Sequence, residues 1–98
     1  MKVYIIESTI MTDTALLLID LQNEMVDPAG KIGAGGLARA AADAGVLDNA
    51  ARVLAAARRA GLAVVHVRLG FQPGHLDALS VAPRIARLKE HGGALMGT

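Results

Sequence analysis

Ala15-Leu16-Leu17-Leu18-Ile19-Asp20 is an unbroken apolar run closed by a carboxylate. Continuous rather than alternating apolarity describes a strand buried on both faces, as in a parallel sheet. Downstream of it, Asp27, Pro28, Gly30, Gly33, Gly35 and Gly36 interrupt any regular element, so residues 27–36 read as a loop. Residues 37–44 are rich in alanine and suit a short helix. Residues 45–60 form the clearest helix: Leu47, Ala50, Leu54 and Ala57 recur at helical spacing, with Asp48, Arg52, Ala55 and Arg59 on the opposite side. Asp48 and Arg52 stand four apart in the favourable order. Arg58 and Arg59 fall in the last turn, where cations suit the helix dipole, and Gly61 supplies a left-handed stop. Residues 62–69, with Val64, Val65 and Val67, read as a second strand.

Strand, helix, strand is a βαβ unit. Residues 70–80 then carry Gly70, Pro73 and Gly74 and read as a loop. Residues 83–91 read as a helix, with proline in its first turn and Gly92 at its end. Upstream, Met11-Thr12-Asp13-Thr14 leads straight into the first strand, so residues 1–10 read as an upstream mis-start, the alternative being an extra edge strand over residues 3–6. A parallel sheet needs cover on both faces, and a sheet usually has four to six strands. Two strands and about three helices supply less, so the chain reads as the first half of a doubly wound α/β domain with exposed strand edges.

Composition narrows the function classes. The 98 residues carry ten Lys and Arg against nine Asp and Glu, a formal charge of +1. That balance leaves no electrostatic footprint for nucleic acid or an anionic membrane. An apolar share of 53% argues against disorder. The run ending at Asp20 is far short of the roughly 20 residues a spanning helix needs, and no signal-peptide pattern opens the chain. The expected compartment is the cytoplasm. There are no cysteines, which removes disulfides, thiolate metal sites and a cysteine nucleophile from this sequence.

Active sites of open α/β sheets lie beyond the carboxyl ends of the strands. That places Asp20, Gln22 and Asn23 at the mouth of the first strand and Arg68, Gly70, Phe71 and Gln72 at the mouth of the second. Adjacent parallel strands bring the two groups together. Asp20 is the sharpest candidate, either as a general base or as a carboxylate that holds the following loop by Asx-type hydrogen bonds. Arg68 suits a substrate carboxylate and Phe71 a ring, against the alternatives of a surface salt bridge and a loop anchor. His66, His75 and His91 fit no compact ligand spacing, so no metal and no cofactor are expected. His66 shares a strand face with Arg68, and reads either as a pocket residue or as a strand histidine with a satisfied hydrogen bond. Gly33-Ala34-Gly35-Gly36 completes no dinucleotide fingerprint and reads as a flexible loop.

Leu17-Leu18-Ile19-Asp20-Leu21-Gln22-Asn23-Glu24-Met25 resembles the opening motif of the isochorismatase-like cysteine hydrolases. There an apolar strand ends in Asp-x-Gln-Asn, followed by an acidic and then a bulky apolar residue. The likeness continues through residues 49–61 and Val64-Val65-His66-Val67-Arg68, similar to the family's first helix and second strand. Gly93-Ala94-Leu95-Met96-Gly97-Thr98 is similar to the loop that follows. The resemblance covers residues 13–98, with residues 11–98 as the domain portion. It implies the N-terminal part of a three-layer α/β/α parallel-sheet domain. It also implies hydrolysis of an amide or related bond of a small molecule by an Asp-Lys-Cys triad. In that triad the thiolate attacks a carbonyl carbon, the aspartate takes and returns a proton near the thiol, and the lysine supports the charged states.

Of that triad only Asp20 maps onto this sequence. Gln22 matches the motif and, with Arg68 and Phe71, is a substrate-binding candidate, although Gln22 and Asn23 suit loop ordering better than chemistry. Lys31 and Lys89 do not stand where the family's lysine stands. The expectation is therefore a hydrolase fragment that is inactive alone and whose complete form takes a small-molecule substrate and is a homo-oligomer. The alternatives are a non-catalytic interaction module, or half of a split enzyme that pairs its sheet edge with another chain.

Overall fold

The computed structural model describes residues 2–6, 13–78 and 82–95, with backbone alone at residues 2, 3 and 6. The elements in chain order are β1 (Lys2–Ile6), β2 (Ala15–Ile19), α1 (Asn23–Val26), α2 (Leu37–Asp43), α3 (Val46–Arg59), β3 (Ala63–Leu69) and α4 (Pro83–Glu90). Single 3-10 turns occupy Gly33–Gly35 and Pro73–His75. The architecture is α/β, and β2, β3, α2, α3 and α4 fall where the sequence reading places them, while β1 occupies the segment for which an edge strand was the alternative to a mis-start. The sequence reading missed α1, a single turn closed by Val26 N–H on Gln22 O and Asp27 N–H on Asn23 O, both at 3.0 Å. Met11 and residues 96–98 of the tail lie outside the described residues.

Three strands form one sheet in the order β1-β3-β2. β2 and β3 run parallel, with Ala15 opposite Ala63 and Ile19 opposite Val67. This is the βαβ pairing the sequence calls for. Lys2–Ile6 adds an antiparallel edge, with Tyr4 opposite Val67 and Ile6 opposite Val65, so the sheet is mixed.

Helix ends are written in the sequence. After α3, Ala60 is the last right-handed residue and Gly61 turns to φ 72°. Leu62 N–H then bonds Ala57 O and Gly61 N–H bonds Arg58 O. This is a Schellman stop, which needs a residue comfortable at positive φ. The same pair of bonds recurs after α4, with Gly93 N–H on Leu88 O and Gly92 N–H on Lys89 O.

α3 packs on β2 and β3. Its inward stripe is Val46, Ala50, Leu54 and Ala57. Leu47, expected on that stripe, is instead half exposed, and Ala55, expected on the opposite side, is half-buried. Arg52 donates to Asn49 Oδ1 rather than to the Asp48 carboxylate that its spacing suggested.

β2 departs from expectation. Its residues alternate in burial: Leu16 and Leu18 are half-buried, whereas Leu17 and Ile19 are each 53% exposed. The unbroken apolar run had implied burial on both faces. β2 is an edge strand of the described sheet, and α3 shields only the face that carries Leu16, Leu18 and Val64. On the other face only the central strand is sealed, where Val67 sits between Ile19 and Tyr4.

The core is correspondingly thin. Among the described residues Val64 is the largest fully buried side chain. A second cluster joins Phe71, Ala78 and Ala94 to the half-buried Ile32, Leu69, Ile85 and Leu88. Its radius of gyration, 15.1 Å, exceeds the roughly 13 Å of a compact domain of this length.

Candidate active site

β2 ends by a change of backbone direction. Asp20 N–H still donates to Val67 O at 2.8 Å, which extends the parallel ladder one step past the strand. Asp20 itself lies at φ 60°, in the left-handed region. Few residues other than glycine accept that conformation, and aspartate is one of them. Local strain of this kind concentrates at functional positions. Asp20 lines an open cleft of about 1090 Å³.

Behind Asp20 the motif becomes a latch. Gln22 is 6% exposed. Its Nε2 donates to Leu69 O at 2.8 Å and its Oε1 accepts from Leu69 N–H at 2.9 Å. One side-chain amide thus satisfies both backbone groups at the end of β3, and it fixes the mouths of the two parallel strands to each other. Glu24 is 3% exposed and does the same over a longer range. Its Oε1 accepts from Lys31 N–H at 2.5 Å and its Oε2 from Ala94 N–H at 3.0 Å. A buried carboxylate is costly unless its oxygens are hydrogen-bonded, and here each oxygen meets a backbone donor.

The glycine-rich loop is part of this latch. Gly30 lies so close to the carbonyl oxygens of Asn23 and Glu24 that any Cβ would collide with them. Ile32 N–H bonds Glu24 O and Gly30 N–H bonds Asp27 O. The segment read as a flexible loop is therefore folded back onto α1.

The sequence-predicted candidates separate in space. Asp20 lines the cleft. Gln22 commits its amide to Leu69, in keeping with the loop-ordering role its motif suggested. Phe71 is 3% exposed within the second core cluster, where its N–H bonds Ala94 O at 2.7 Å and its ring lies 5.7 Å from that of His75. Its position is that of an anchor for the loop after β3. Arg68 is half-buried and follows Val67 on β3, on the sheet face shared with His66 and opposite to that of Leu69. Leu69 borders the cleft, and neither Arg68 nor His66 is among its lining residues. His75 is buried, with Nε2 2.6 Å from Gly93 O, and His91 Nδ1 lies 2.8 Å from Arg87 O.

Other cleft residues were not read as pocket residues from the sequence. The apolar wall includes Ile19, Met25, Ile32, Leu69 and Leu88. The basic groups are Lys31, Arg84, Arg87 and His91. Lys31 Nζ reaches Gly92 O at 3.1 Å, so that cation sits at the carboxyl end of α4, where the dipole favours it. The available signal for the others was the spacing of Arg84, Arg87, Leu88 and His91, which places them on one face of α4.

Comparison with known proteins places these residues in a family context. Residues 14–96 match the isochorismatase domain family. Ureidoacrylate amidohydrolase RutB of Variovorax paradoxus (strain S110) is 34% identical over 67 residues, which cover 68% of this chain and 26% of the relative. The chain thus spans about a quarter of the length of that curated relative. No solved structure matches it significantly.

Proposed function

The chain belongs to the isochorismatase family, and from that premise we propose that it carries the aspartate arm of a hydrolytic site for an amide or related bond of a small molecule. The observation that carries this reading is Asp20: a carboxylate held at positive φ at the carboxyl end of β2, on the wall of an apolar cleft. A carboxylate there suits general base work, which needs a fixed acceptor beside the reacting group. In the proposed reaction Asp20 takes the proton of a cysteine thiol and the thiolate adds to the carbonyl carbon. The proton returns to the leaving nitrogen as the carbon–nitrogen bond breaks, and water then hydrolyses the thioester.

This sequence holds no cysteine, so the nucleophile and the supporting lysine come from another stretch of polypeptide. The 98 residues by themselves are expected to be inactive. A chimera tests the assignment: this chain replaces the matching quarter of RutB, and ammonia release is measured with ureidoacrylate, the compound in that relative's name. The chimera should turn over, and Asp20→Asn should lower kcat/KM by roughly 10²–10⁴-fold, the usual scale for a lost general base. A folded, active chimera indifferent to Asp20→Asn would overturn the assignment.

One observation favours a second reading, a half of a split enzyme. Among the described residues β2 is an edge strand, with Leu17 and Ile19 half exposed, and such an edge is a template for another strand. Under that reading a separate polypeptide adds the next strand together with lysine and cysteine. Activity would then appear only on mixing the two chains.

A further inference from the structure

The cleft has a charge pattern that the Asp20 assignment does not require. Among the described residues Asp20 is the one carboxylate on its lining, while Lys31, Arg84, Arg87 and His91 bring basic groups to it. The chain as a whole is nearly balanced, at +1, so the concentration is local. Lys31 is engaged at the end of α4 by Gly92 O. Arg84 and Arg87 are exposed, and among the described residues neither has an ion-pair partner. They stand three apart on α4, hence on one face, beside Ile85 and Leu88, which also line the cleft.

We propose that this cleft binds a small molecule carrying a carboxylate on an apolar body, with Arg84 and Arg87 taking the carboxylate and the Leu69, Ile85 and Leu88 side of the wall taking the body. The guanidinium group suits this task because its planar fork can meet a carboxylate with two parallel hydrogen bonds. The polar end of the ligand would lie at α4, with the bond to be broken toward Asp20. As a statement about substrate class, the inference rests on the hydrolase reading. As a statement about binding, it stands apart from it.

The test is a titration followed by NMR of the ¹⁵N-labelled 98-residue chain, repeated on the chimera with RutB. Hexanoate, hexanamide and inorganic phosphate are the three probes. Hexanoate should shift the Arg84 and Arg87 Nε–H signals and the backbone amides of Ile85 and Leu88. Hexanamide and phosphate should bind about tenfold more weakly or worse, since each lacks one half of the recognised structure. The double variant Arg84→Gln with Arg87→Gln should lower hexanoate affinity by about tenfold and leave that of hexanamide unchanged. Arg84→Lys with Arg87→Lys keeps the charge, leaves the fold least disturbed, and should fall between the two.

Equal binding of hexanoate and hexanamide, hexanoate affinity unchanged in the double Gln variant, or phosphate binding as tightly as hexanoate would overturn the proposal. Its failure is separable from failure of the hydrolase reading. An active, Asp20-dependent chimera that does not distinguish hexanoate from hexanamide sinks only the carboxylate site. An inactive chimera that binds hexanoate through Arg84 and Arg87 sinks only the hydrolase.

Discussion

Glu24→Gln is the substitution on which the latch stands or falls. It preserves shape and volume, so no cavity opens. It removes the charge and turns one acceptor into a donor. In the parent the two carboxylate oxygens take Lys31 N–H at 2.5 Å and Ala94 N–H at 3.0 Å. A glutamine oxygen can serve one of these, and its NH₂ then confronts the other N–H, whichever way the amide is turned. The loss is one buried hydrogen bond to a charged group, about 1.5–3 kcal/mol, plus weakening of the second bond when the charge goes, for a total of about 2–4 kcal/mol. A domain of this size is stable by roughly 5–15 kcal/mol, so the fraction lost is large.

The assay is urea unfolding followed by circular dichroism, with amide hydrogen exchange at Lys31 and Ala94. At an m-value of about 1–2 kcal/mol per M the midpoint should fall by at least about 1 M, with m unchanged. Exchange should accelerate at Lys31 and Ala94 more than at amides inside β3. A Glu24→Gln midpoint within about 0.3 M of the parent, with protection at both amides intact, would refute the claim that this carboxylate ties α1 to the two loops.

Two further outcomes follow from the same geometry. Gly30→Ala should destabilise by about 1–3 kcal/mol, because its Cβ runs into the Asn23 and Glu24 carbonyls, while Gly35→Ala, which meets nothing within 4 Å, should be nearly neutral in thermal unfolding; equal effects would contradict the close approach. Leu17→Thr with Ile19→Thr should reduce concentration-dependent association in sedimentation velocity and cost only about 1 kcal/mol per site, since both side chains are already 53% exposed, and unchanged association would show that the bare face of β2 is not what joins molecules.

Sequence and structure agree most closely where a signal is local. Gly61 and Gly92 announce their helix stops because a Schellman turn is completed within six residues. α3 and β3 are legible because a period of 3.6 or a run of valines lies within one element. The place of Asp20 on the cleft is legible for a related reason: a carboxylate at the end of an apolar strand falls at the carboxyl edge of the sheet, where open α/β sheets form their crevices. The motif around it added the family.

What tertiary structure decided is of another kind. Whether both faces of β2 are covered depends on which elements pack there, and the same five apolar residues suit either case. Glu24 looked like one letter of a motif, yet its role is set by Ala94, 70 positions away. Phe71 looked like a ring available to substrate until the loop after β3 closed over it with Ala78 and Ala94. Arg84 and Arg87 read as one face of a helix, and only the packing of Ile85 and Leu88 against the Phe71 and Ala94 cluster set that helix beside the cleft. Spacing along the chain determined which residues share an element and which face they take. The partner of each face was fixed by contacts between residues distant in sequence, and no local pattern encodes those.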